Sequence, residues 1–257
     1  MLINKKLFYV VLTALLVIIV VIGSGVLDAP RGGYPTVTRC EYNLRMLCIA
    51  MDKYREVYHS FPPSFTTDKS GKPMHSWRAL ILPYLDITSV RYNYEEPWDS
   101  PYNRKFHDKM PSVFCCPFTP KPMRKSTPSY AMITGKNTIG EGQDKIIRYS
   151  TTILLIEVKN ANFNWLEPVD IPLEQLQFDY RKSKNTSNLI GSHHNDSDRI
   201  FSFVTCAGFS YTFSFKKNDV KLIKTMATID GAQSVVEKND EKTKERHFEF
   251  QDQKSEK

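Results

Sequence analysis

The sequence predicts an α+β domain behind a membrane-spanning N-terminal helix. An uncharged apolar run opens the chain, and helical periodicity follows after a short break. Short segments rich in β-branched and aromatic residues then dominate from about residue 112 onward. Helices first and strands later suit a helix laid on an antiparallel sheet, with short helices inserted. A chain of 257 residues is long enough for one such domain plus appendages.

Residues 1–28 supply the anchor. Lys5 and Lys6 precede an uncharged stretch from Leu7 to Leu27. About 20 apolar residues carry a helix across the hydrocarbon core. The basic pair stays cytoplasmic, which places everything after Leu27 outside the cell membrane in a single pass. A cleaved signal peptide has an apolar core of only ~7–15 residues, so an uncleaved anchor is expected. Residues 29–35 form a linker, since Pro30, Gly32, Gly33 and Pro35 break any helix.

The domain spans residues 36–231. Thr38 and Glu41 have capping-box spacing. Val37, Cys40, Leu44, Leu47, Cys48, Met51, Tyr54 and Tyr58 then recur at threes and fours, as one helix face requires. A second helix is expected with Ser76 as N-cap, ending near Pro83. A third is expected where Ser100 caps and Pro101 takes the first helical position. "PSVFCCP", "SYAMITG", "STTILLIEV", "RIFSFVTC" and "FSYTFSF" read as strands. Residues 232–257 are mostly charged and read as a disordered tail.

Composition narrows the function. The net charge of +7 is spread along the chain, with no basic helix or arginine-rich arm, which argues against nucleic acid. The expected partners are the membrane and other envelope proteins or a cell-surface polymer. There is no phosphate-cradling glycine loop, no G-x-S-x-G and no H-E-x-x-H, so neither cofactor nor enzymatic activity is expected. The five cysteines contain no C-x-x-C pair. Cys40 and Cys48 lie about 12 Å apart along one helix, too far for mutual bonding. Adjacent Cys115 and Cys116 on a strand would point to opposite faces, so at most one would reach the core.

Two acidic, tryptophan-bearing stretches invite an enzymatic reading. "EEPWDSPYN" gathers Glu95, Glu96 and Asp99 around Trp98, and "NWLEPVD" sets Glu167 and Asp170 beside Trp165. Glycoside hydrolysis needs two carboxyls about 5–10 Å apart across a sugar. An exported polysaccharide-binding module or hydrolase built on Trp98 and Trp165 is therefore the alternative reading. The simpler reading is scaffold: Asp99 and Ser100 cap, Pro97 and Pro101 fix the turn, and Trp98 fills a gap against the sheet. Glu157 ends an apolar strand and must find a partner, with Arg78 or His75 as candidates. His193, His194, Asp196, Asp198 and Cys206 lack zinc-ligand spacing and read as a polar loop.

The pieces "CEYNLRMLCIAMDKYREVYHSFPPSF", "GKPMHSWRALILPYL", "YNYEEPWDSPYN", "MPSVFCCP", "SYAMITG", "TILLIEV" and "NWLEPVD" occur in the order of a known family. On them the chain resembles the domain of unknown function 1559 family of planctomycete-type bacteria, which is related to type II pilin-like proteins. The resemblance implies a pilin-like helix on an antiparallel sheet and no established activity. It marks His75, Trp77, Arg78, Pro97, Trp98, Asp99, Glu157, Trp165, Glu167 and His194 as structural motif residues. It also implies a disulfide from Cys40 to Cys116, because Cys116 occupies the family's Phe-x-Cys-Pro position. The chain departs from the pattern at two places. "KKLFYVVLTALLV" lacks the glycine and glutamate of a prepilin leader, and Ala207 stands where the family's hairpin carries an aspartate.

Overall fold

The periodicity after the linker forms one helix, α1 (Thr36–Tyr58). A computed structural model describes residues 36–87, 89–141, 151–159, 161–178, 189–193, 200–214, 219–239 and 246–250. The expected anchor and linker lie outside these residues. Among the described residues no helix is long and apolar enough to cross a membrane.

Cys40, Leu44, Leu47, Cys48 and Met51 are buried along one face of α1, while Tyr42, Ile49 and Val57 stay exposed. Burying each such aliphatic side chain contributes about 1.5–3 kcal/mol, enough to hold the helix in place. The helix starts at Thr36, ahead of the expected Thr38, so the Thr38–Glu41 box does not open it. Glu41 instead accepts a hydrogen bond from Thr212 on the sheet at 2.7 Å. At the other end His59 turns left-handed (φ 60°) and its amide donates to Arg55 O, which stops the helix.

A hairpin follows, β1 (Phe65–Thr67) with β2 (Pro73–Ser76), and leads into the single turn α2 (Trp77–Leu80). Ser76 takes the N-cap position, but its hydroxyl accepts no helix amide and donates instead to Trp165 O. Pro83 limits what comes next to a 3-10 turn, Leu82–Tyr84. The third expected helix is also only a 3-10 turn, Asn103–Phe106. "PSVFCCP" corrects another expectation: Ser112–Phe114 is a 3-10 turn, not a strand. Cys115 and Cys116 are consequently both buried, since no pleat forces one of them outward.

The strands β3 (Tyr130–Ala131), β4 (Ile133–Thr134), β5 (Ile153–Lys159), β9 (Ile200–Thr205) and β10 (Ser210–Ser214) appear where the β-branched segments predict them, whereas the two-residue strands β6 (Ile171–Pro172), β7 (Gln177–Phe178) and β8 (Leu189–Ile190) fall outside those segments. Their main sheet runs β10-β9-β5-β8-β7, with β3 also pairing β5, and β7–β8 is its parallel pair. The β9–β10 turn needs Gly208, whose φ is +83°.

Strand β5 is buried on both faces, which explains its unbroken apolar run. Leu154, Leu155 and Val204 join the core under α1, whereas Ile156, Val158, Phe201 and Phe203 join a second core on the opposite face. After β10, helices α3 (Asp219–Met226) and α4 (Ile229–Ala232) divide between the cores: Ile229 joins the core under α1, and Leu222, Ile223 and Met226 join the second core. It is completed by an antiparallel hairpin, β11 (Val235–Asn239) with β12 (Arg246–Phe250). The expectation of a disordered tail from residue 232 therefore fails for these strands. Val235 and Phe248 are buried, and the Phe248 ring lies 5.9 Å from Phe203 and 4.9 Å from Tyr211.

Candidate functional site

Leu155 and Glu157 share a face of β5 by the two-residue period of a strand, and α1 lies on that face. Glu157 is therefore carried into the core under α1, where Cys40 Sγ donates to its Oε1 at 3.4 Å. Cys116 arrives from the segment after the 112–114 turn. The ligand atoms of Cys40, Cys116 and Glu157 all lie within 4.8 Å of one another, and all three residues are buried. The Ser192 hydroxyl donates to Glu157 Oε1 at 2.9 Å, and the Ser202 amide donates to Oε2 at 3.1 Å. Burial pushes the Glu157 carboxyl well above the usual carboxylate range, and the Cys116 sulfur adds to that; the Ser192, Ser202 and Cys40 donors pull against it. The Cys40 thiol is likewise raised, first by its hydrogen bond with Cys116 and then by burial.

The expected Cys40–Cys116 pair is thus brought together, but both sulfurs are present as thiols and not as a disulfide. Cys115 faces elsewhere, its sulfur donating to Cys116 O at 3.3 Å. Cys48 lies over the turn that carries Cys206, 3.9 Å from Thr205 O.

The expected partners of Glu157 are engaged elsewhere. Arg78 forks onto Asp170, Nη2 to Oδ1 at 2.8 Å and Nη1 to Oδ2 at 3.2 Å, and Nη2 also donates to Tyr130 O at 2.9 Å. Both side chains are fully buried. The Met132 amide donates to Asp170 Oδ1 at 2.8 Å, and the guanidinium lies over the rings of Trp77 and Phe163 at 4.6 and 5.2 Å. Burial raises the Asp170 carboxyl, while Arg78 and the Met132 amide hold it down. His75 instead meets the Tyr92 hydroxyl through Nδ1 at 2.9 Å.

"EEPWDSPYN" forms a loop folded around its last residue. Asn103 is fully buried; its Nδ2 donates to the carbonyls of Asn93, Glu96 and Pro97 at 2.9–3.1 Å, and its Oδ1 accepts from the Asn93 amide. Ser100 is not the cap of the Asn103–Phe106 turn, a position taken by Tyr102, but its hydroxyl accepts from the Asn103 amide at 3.1 Å and closes the turn before it. Asp99 reaches Arg104 at 3.9 Å in a half-exposed pair, and Glu96 accepts from Asn93 Nδ2. Trp98 is half-buried against the core and stacks on His107 at 5.1 Å. Trp165 is fully buried and donates from Nε1 to Phe106 O, so it is no surface platform for a sugar. Glu167 closes its own turn by accepting from the Asn164 amide. His194, Asp196 and Asp198 lie outside the described residues.

Asn103, Ser192 and Asp170 escape a reading of the sequence as organising residues. Asparagine after "SPY" resembles any turn residue, and the other two act only through contacts far along the chain. A family model described as protein of unknown function (DUF1559) matches residues 38–163, the segment holding Cys40, Cys116 and Glu157. No curated protein and no solved structure matches the chain.

Proposed function

We propose, from the membership of residues 38–163 in the DUF1559 family, that this chain is a membrane-anchored, non-enzymatic, pilin-like envelope protein. Its α+β domain is displayed outside the membrane for interaction or assembly. The observation that carries the proposal is the uncharged run from Leu7 to Leu27 behind Lys5 and Lys6, ahead of a domain whose long helix packs on an antiparallel sheet. The non-enzymatic part rests on how the acidic and tryptophan residues are used. Trp165 and Asp170 are core groups, and the Glu96 and Pro97 carbonyls of "EEPWDSPYN" converge on the Asn103 side-chain amide.

Fractionation of cells expressing the full chain, combined with a polysaccharide-hydrolysis screen of the purified protein, tests this. The chain is expected in carbonate-washed membranes, with no turnover of any polymer. Recovery in the soluble fraction, or hydrolysis abolished by Glu95→Gln or Glu96→Gln, would overturn the proposal.

A further inference from the structure

We propose that Cys40, Cys116 and Glu157 form a binding site for one thiophilic divalent ion of the zinc class. Two sulfurs and a carboxylate oxygen are a donor set suited to such an ion. They come from three separate segments: helix α1, the stretch after the 112–114 turn, and strand β5. Their mutual spacing fits. Ligands held at about 2.3 Å for sulfur and about 2.1 Å for oxygen around a tetrahedral centre stand about 3.5–3.8 Å apart. The Cys40 sulfur and Glu157 Oε1 are 3.4 Å apart, and every pair in the cluster is within 4.8 Å.

The carboxylate distinguishes a metal site from a mere thiol pair. A disulfide would use the two sulfurs alone and would take from Glu157 the Cys40 donor, leaving a buried acid with less support. A cation uses all three groups. The surroundings are those of a held ligand: Ser192 and Ser202 orient the carboxylate from two other segments, as outer-shell partners of metal ligands do. Tyr130, paired with Glu157 across β3–β5, brings its hydroxyl to the Cys40 sulfur and is itself fixed by Asn43 Nδ2 at 3.3 Å. An ion here would tie α1 to the sheet. Three protein donors would leave a tetrahedral ion one coordination position.

The test uses the detergent-purified, reduced, chelator-washed full chain and the metal alone. Cobalt(II) is expected to give thiolate-to-cobalt charge-transfer absorption that saturates at one ion per chain and is displaced by zinc. Cys116→Ser should abolish that absorption, and Ser192→Ala should weaken binding about tenfold or more by freeing the carboxylate. Should the cysteine variant not fold, X-ray absorption of the zinc-loaded wild type decides by itself, with two sulfur neighbours at about 2.3 Å expected. Absence of a charge-transfer band, a zinc shell without sulfur, or a Cys40–Cys116 disulfide in protein taken from its own compartment would each overturn the site. None of these results bears on membrane topology, so the site and the proposed function can fail separately.

Discussion

At the scale of single residues, the largest contributions come from buried polar groups tied into hydrogen-bonded pairs and clusters. Arg78 and Asp170 are both fully buried. Asp170→Ala should cost about 3–5 kcal/mol by stranding the guanidinium, whereas Arg78→Met with Asp170→Leu should cost less than the single change; urea unfolding of both measures it. Asn103→Ala should cost about 3 kcal/mol, because three carbonyls lose a donor, while Glu95→Gln on the exposed rim should be nearly silent. His75 gives a pH signature. Burial lowers its pKa, against the opposing pull of the Tyr94 backbone and the Glu95 charge. A lowered histidine pKa leaves stability intact above the unfolded value of about 6.5 and erodes it as pH falls toward the folded value. The stability advantage of wild type over His75→Gln should therefore shrink between about pH 7.5 and pH 5, and a constant difference would refute the assignment. The sequence marked Glu157 as needing a partner, but neither candidate, Arg78 or His75, is that partner. Asp170 stands 92 positions from Arg78, and no periodicity reports so distant a contact.

At the scale of elements, what was legible was what period and composition encode. The stripe on α1 and the strands β5, β9 and β10 follow directly from their apolar spacing. The short elements were harder to read. Ser100 and Pro101 announce a helix, but Asn103 turns its side chain back onto preceding carbonyls and only a 3-10 turn forms. "VFCCP" has strand composition without a strand neighbour to pair with, and becomes a turn. The C-terminal hairpin was hidden by charge, because the buried Val235 and Phe248 sit in a segment dominated by charged residues. Phe248→Ala should accordingly cost about 3 kcal/mol or more by opening a cavity against Phe203 and Tyr211. Thermal unfolding of that variant distinguishes a seated hairpin from a dispensable tail, for which the melting temperature would not move.

At the scale of the whole molecule, the sheet packs two cores, and the family match covers most of α1, the loops up to β5 and β5 itself but not α3 or the C-terminal hairpin. The α+β class was readable because helical and strand-like segments separate along the chain. Sheet order was not, since the neighbours of β5 come from opposite directions in sequence. The proposed role depends on this domain being held outside the membrane by the run from Leu7 to Leu27. Its most direct test places a cysteine at the exposed hairpin position Lys69 and, separately, at Asn4, in full-length chains whose five native cysteines are the buried background. Spheroplasts are treated with a membrane-impermeant maleimide before and after permeabilisation. Lys69→Cys is expected to label in intact spheroplasts and Asn4→Cys only once they are permeabilised; the reverse pattern, or labelling of both only after permeabilisation, would contradict an anchored, outward-facing domain.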